Sequence, residues 1–208
     1  MIKRTLAASV AALSLSVAAA HAVPSFEFIV DGDTFTENFS FTNTSDAGEQ
    51  LTRFSFTLPA GLCFDTDMVS PGCNTSAGTP FNPLGGTDVI TGLNTVSAPD
   101  VGTVLDLTFT DFDPTETFTF ELDVDFVTPG SATVFGNDLI GTMAFADFSD
   151  GQRLFGTFAA IAGNPDASGF VAQGIIDTPP VPLPAGLPLI LAGLGAFGVV
   201  RLRQRKAG

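Results

Sequence analysis

The sequence predicts an all-β fold, an antiparallel immunoglobulin-like β-sandwich of about 7–9 short strands. Three observations carry this. Apolar and polar residues alternate, most clearly over 117–126, where Phe118, Phe120, Leu122, Val124 and Phe126 share one face. Thr117, Thr119, Glu121, Asp123 and Asp125 take the other. No stretch between the two ends of the chain keeps a 3.6-residue period with caps. Finally, 22 Gly and 14 Pro interrupt the chain at intervals that suit short strands and turns.

Each element follows from its own residues. Phe26–Val30 is a short candidate strand, and Phe35, Phe39 and Phe41 define a second, interrupted by Glu37. Phe54, Phe56 and Leu58 give a third, ended by Pro59, which has no N–H for a ladder. Val89–Val96 is a weaker pattern, while Leu105, Leu107 and Phe109 alternate cleanly ahead of 117–126. Thr142–Asp147 and Arg153–Phe158 flank Ser149-Asp150-Gly151-Gln152, where Asp-Gly predicts a hairpin turn. Phe170–Ile176 is a last, weaker strand. One domain is expected over 23–162, with 163–180 serving as last strand and linker. Of the 21 Phe, only Phe197 lies beyond this region, so the predicted core is built mainly from phenylalanine.

Charge divides the chain sharply. All 22 acidic residues lie between Glu27 and Asp177, where only Arg53 and Arg153 oppose them, a net of −20. Such a body has no electrostatic means of holding nucleic acid or a bare anionic membrane. It also lacks His, Lys, Trp and Tyr, which removes the usual general bases, so a non-enzymatic protein is expected.

The two ends read as addresses. Residues 1–22 form a signal peptide: Lys3 and Arg4, an apolar run from Leu6 to Ala20, and Ala20-His21-Ala22 as a small-x-small cleavage site. In an exported chain, the only two cysteines, Cys63 and Cys73, are expected to form a disulfide. At the other end, Val181–Val200 carries no charged or polar side chain, and Arg201, Arg203, Arg205 and Lys206 follow. A membrane helix over about 186–200 with a cytoplasmic C-terminus is the prediction. Gly193-Leu194-Gly195-Ala196-Phe197-Gly198 matches the spacing of a dinucleotide fingerprint, but no βαβ unit surrounds it, and it sits in the predicted span.

Val181-Pro182-Leu183-Pro184-Ala185, the Gly/Leu/Ala-rich span and the basic end together resemble the VPLPA-type members of the PEP-CTERM sorting signals. The resemblance covers 181–208 only. It implies an exosortase substrate: a protein of a Gram-negative bacterium, exported and trimmed by signal peptidase, then held in the inner membrane by its tail. It further implies recognition at Val181–Ala185 by a membrane-embedded cysteine transpeptidase-like enzyme, and delivery to the cell surface or an extracellular polysaccharide matrix. Proteins with this tail carry unrelated ectodomains, so it specifies destination and not activity.

Calcium is the one ligand the body's inventory suggests, with no other cofactor expected. Asp31-Gly32-Asp33, Asp65-Thr66-Asp67, Asp111-Phe112-Asp113 and Asp123-Val124-Asp125 each place two carboxylates two residues apart. On a strand this puts both on one face, and oxygen ligands suit a hard cation. The predicted set is Asp111, Asp113 and Glu116, with Asp123 and Asp125 contributing from the next strand. The plainer reading of the same residues is a solvated anionic face. The alternative function that goes with calcium is a cation-dependent adhesion or glycan-binding module anchored by the same tail.

Overall fold

The computed structural model describes residues 23–68, 73, 77–128, 130 and 133–177. The predicted signal peptide, 1–22, and sorting tail, 181–208, lie outside the described residues. Among the described residues no helix is long and apolar enough to cross a membrane.

The chain is all-β. Its strands are β1 (Phe26–Asp31), β2 (Phe39–Asn43), β3 (Leu51–Thr57), β4 (Leu62–Phe64), β5 (Asn82–Pro83) and β6 (Leu93–Ser97). They continue with β7 (Val104–Phe112), β8 (Thr117–Glu121), β9 (Val124–Phe126), β10 (Met143–Phe148), β11 (Gln152–Ile161) and β12 (Asn164–Asp177). A four-residue helix, α1 (Thr87–Ile90), precedes β6, and a single 3-10 turn covers Gly136–Leu139. Ten strands form one antiparallel sheet in the order β5-β8-β2-β1-β12-β11-β10-β3-β7-β6, while β4 and β9 pair as a separate two-stranded ribbon.

The sheet curls onto itself. Phe28 of β1 lies 5.0 Å from Phe54 and 6.0 Å from Phe56, although three strands separate β1 from β3. Phe41 of β2 likewise meets Phe109 and Phe112 of β7 at 5.6 and 5.2 Å. The hinge of this curl is β12, whose 14 residues pair with β1 through Ala167–Gly169 and with β11 along most of its length. A chain segment expected to run out partly as linker thus holds the two halves together.

The core is the predicted phenylalanine cluster. Phe28, Phe39, Phe41, Phe54, Phe56, Phe64, Phe112, Phe118, Phe120 and Phe158 are all below 2% exposed. Each contributes about 1.5–3 kcal/mol by leaving water. Unlike Tyr or Trp, none brings a polar atom that needs a buried partner.

Three local differences from expectation have physical causes. The second strand begins at Phe39, not Phe35, because Asp33 caps a turn: its Oδ1 accepts from Phe35 N at 2.9 Å, and its carbonyl from Thr36 N and Glu37 N. Phe35 is left 49% exposed. The pattern at Val89–Val96 divides into α1 and β6, since Gly86 and Gly92 both adopt positive φ. The ten-residue alternation of 117–126 breaks between Glu121 and Val124, where the chain leaves β2 and crosses to β4. The strand count exceeds the expected range because β4 and β5 are too short to show alternation, and because β8 and β9 divide one predicted strand. The Asp-Gly turn does close the β10–β11 hairpin, with Gly151 at φ +89° donating its N–H to the Phe148 carbonyl.

Candidate functional site

The ribbon of β4 and β9 is where chemistry concentrates. Its register sets Leu62 against Phe126, Cys63 against Asp125 and Phe64 against Val124. One further residue pair continues the ladder, since Asp65 N donates to the Asp123 carbonyl at 3.1 Å. Strand alternation then does the sorting. Leu62, Phe64 and Val124 are buried in the apolar core, while Cys63, Asp65, Asp123 and Asp125 share the opposite face. Carboxylate oxygens of Asp65, Asp123 and Asp125 lie within 4.8 Å of one another.

This second face is covered as well. Asp65 is 0% and Asp123 3% exposed. The backbone around Gly78 crosses over Asp65, Gly78 N donating to the Asp67 carbonyl at 2.9 Å and Asp123 N to the Thr79 carbonyl at 3.1 Å. A Cβ on Gly78 would lie 2.0 Å from the Asp65 carbonyl oxygen and 2.5 Å from its Oδ1, so only glycine fits there. Across the ribbon, Thr34 Oγ1 lies 3.1 Å from the Val124 carbonyl and 3.4 Å from Val124 N, holding the backbone between Asp123 and Asp125. The Cys63–Cys73 disulfide closes the loop that begins with Asp65, as predicted, with the two Cα atoms 5.7 Å apart. Cys73 Sγ lies 3.4 Å from the Asp125 carbonyl oxygen.

The carboxylates have little to hold on to. Among the described residues, neither oxygen of Asp65 nor Oδ2 of Asp125 has a well-formed hydrogen bond, and all three atoms are buried; the Asp67 backbone N–H is the one group that favours the Asp65 charge. Burial pushes the Asp123 carboxyl up to about 7, with the charges of Asp125 and Asp65 adding to the effect. Asp65 rises to about 6, first through burial and then through its contact with Asp125, which burial also raises. Asp33 and Asp100 add further negative field.

No cation of the body reaches this group. Its two arginines lie on the outer face of the large sheet, either side of the Phe145 ring at 5.1 Å (Arg53) and 4.0 Å (Arg153). Arg53 forks onto Asp106 and Arg153 onto Asp147. Beside them an apolar cleft of about 390 Å³ is lined by Met143, Phe145, Phe155 and Ile176, among others.

The structure separates the five residues predicted as a calcium set. Asp111 and Asp113 accept from Gln50 Nε2 at 3.4 and 2.8 Å, and Glu116 Oε2 accepts from Asp113 N at 2.9 Å. These three are spent on a surface turn between β7 and β8. Asp123 and Asp125 instead join Asp65, which sequence reading noted only as half of a neighbouring pair with Asp67. The missed signal was that Asp65 follows Cys63 by two, so both share one strand face. No family model matches the chain, and no curated protein or solved structure matches it.

Proposed function

We propose that this is an exported, non-enzymatic cell-surface or extracellular-matrix protein of a Gram-negative bacterium, sorted by an exosortase-type enzyme through residues 181–208. The observation that carries the reading is the Cys63–Cys73 bond in an acidic β-domain. Disulfides persist in oxidising compartments outside the cytoplasm. The order of VPLPA motif, apolar span and basic end supplies the route. Lack of His and Lys in the body supports a binding or structural role over catalysis. The immunoglobulin-like arrangement belongs to the same proposal: the two halves of the curled sheet face each other across one core, as the sheets of such a sandwich do.

Deleting Val181–Gly208 tests it. The truncated chain is expected to keep its β-sheet circular dichroism and its disulfide, yet to lose membrane retention and surface delivery. Arrival at the same destination without the tail would refute the sorting role.

A second reading, a calcium-dependent adhesion module on the same tail, is favoured by one observation, the convergence of Asp65, Asp123 and Asp125. Glycan or polysaccharide of the extracellular matrix would be its partner, bridged through the cation. Calcium-dependent retention of the purified chain on matrix polysaccharide is its expected signature.

A further inference from the structure

We propose that Asp65, Asp123 and Asp125 form a calcium site locked in place by the Cys63–Cys73 loop, in which the cation replaces the hydrogen-bond donors these carboxylates lack. The cluster of acids alone would not carry this. The independent observation is Asp65: a fully buried side chain, neither of whose oxygens has a well-formed hydrogen bond among the described residues. Buried polar atoms in folded proteins are satisfied in the large majority of cases, and buried charges are paired or bind metal.

The surroundings select the ligand. Asp65 stands opposite Asp123 on the ribbon, a like-charge pair that is destabilising unless something positive lies between. The body's only cations, Arg53 and Arg153, are committed elsewhere. A metal ion is therefore the counter-charge that this carboxylate group lacks. The donors are oxygen only. Both cysteines are joined in the disulfide, and the body has no histidine, so nothing in the donor set favours zinc or copper. Three carboxylates in a covered site suit Ca²⁺, which takes 6–8 oxygen ligands. Mg²⁺ keeps several waters and is usually held by one or two carboxylates.

The site's construction explains its placement. Asp65 comes from the loop that the disulfide closes, Asp123 immediately precedes β9 and Asp125 lies within it, so the cation would tie that loop to the ribbon. Gly78 lets the covering backbone lie flush against Asp65. The proposal is independent of the sorting reading, because the purified full chain binds or does not bind calcium wherever the tail directs it.

The test is titration calorimetry and thermal melting of the chelator-stripped full chain above pH 7, with CaCl₂ against NaCl of equal ionic strength. One saturable site and a melting temperature raised by Ca²⁺ but not by Na⁺ are expected. Asp65→Asn and Asp123→Asn each weaken Ca²⁺ binding at least ~10-fold, since affinity follows ligand charge. In metal-free buffer the same variants melt at or above the parent temperature, because each removes a buried charge without a partner. A structural role alone would move that second reading the other way. Asp111→Asn with Asp113→Asn leaves the calcium response unchanged. Identical melting in Ca²⁺ and Na⁺ overturns the proposal, as does an undiminished response in Asp65→Asn.

Discussion

Opening the Cys63–Cys73 bond is expected to cost a definable amount of stability. The two residues are 10 apart in sequence, so the closed loop is short. On the chain-entropy model such a loop restricts the unfolded chain by about 9 cal/mol/K, or about 2.7 kcal/mol at room temperature. For a domain of this size each kcal/mol moves the melting temperature by about 2–4 °C, giving a fall of about 5–11 °C. The perturbation is Cys63→Ala with Cys73→Ala. Alanine is preferred to serine because Cys63 is 1% exposed, and a hydroxyl there would be buried without a partner. The assay is differential scanning calorimetry of the full chain, with and without Ca²⁺. The loop begins with Asp65, so losing the bond should also weaken calcium binding, and calcium should by reciprocity protect the bond against reductant. A double-alanine variant that melts within about 1 °C of the parent would refute the entropy reasoning.

Other perturbations separate the core from the site. Phe41 meets six other rings and is 1% exposed, so Phe41→Ala should destabilise by about 3–5 kcal/mol in urea unfolding and leave any calcium affinity of the folded chain unchanged. Gly78→Ala drives a methyl group into the Asp65 backbone and should cost about 1–3 kcal/mol, read by the same unfolding curves, with calcium binding reduced as well. In chelator, Asp65 and Asp123 make stability fall as pH rises. Both are raised above 3.8 in the folded chain, so the folded state binds more protons, and the contribution present below 3.8 is lost through about 6 and about 7. Asp125, Asp33 and Asp100, which face the pair, are all acidic and act in the same sense. Melting temperatures between pH 4 and pH 8 measure this slope, and Asp65→Asn with Asp123→Asn should flatten it.

The fold was legible where alternation was long. Phe118 and Phe120, Phe54 and Phe56, and Leu105, Leu107 and Phe109 announce buried faces by spacing alone, and all are buried. The curl was not legible, because period-two patterning says which face is inward and nothing about which distant strand it meets. That Phe28 touches Phe54 depends on β12 bridging the halves, and β12 shows only a weak pattern, with Val171, Ile175 and Ile176 exposed. The site was half legible. Aspartates two apart were visible at 65–67 and 123–125, but Asp65 and Asp123 are 58 residues apart and meet only through the β4–β9 register. The turn at Asp111–Glu116 looked similar in sequence because spacing does not reveal that Gln50 and Asp113 N already occupy its carboxylates.

In the proposed route the chain is exported, oxidised and cut at its tail. Intact mass spectrometry of the protein from its native source, taken separately from membrane and extracellular fractions, measures all three together. That route gives an extracellular species that begins at Val23, ends within Val181–Ala185 and is lighter by two hydrogens for the Cys63–Cys73 bond. A species running from Val23 to Gly208, found only in the membrane, would contradict it and leave a single-span anchored domain in its place.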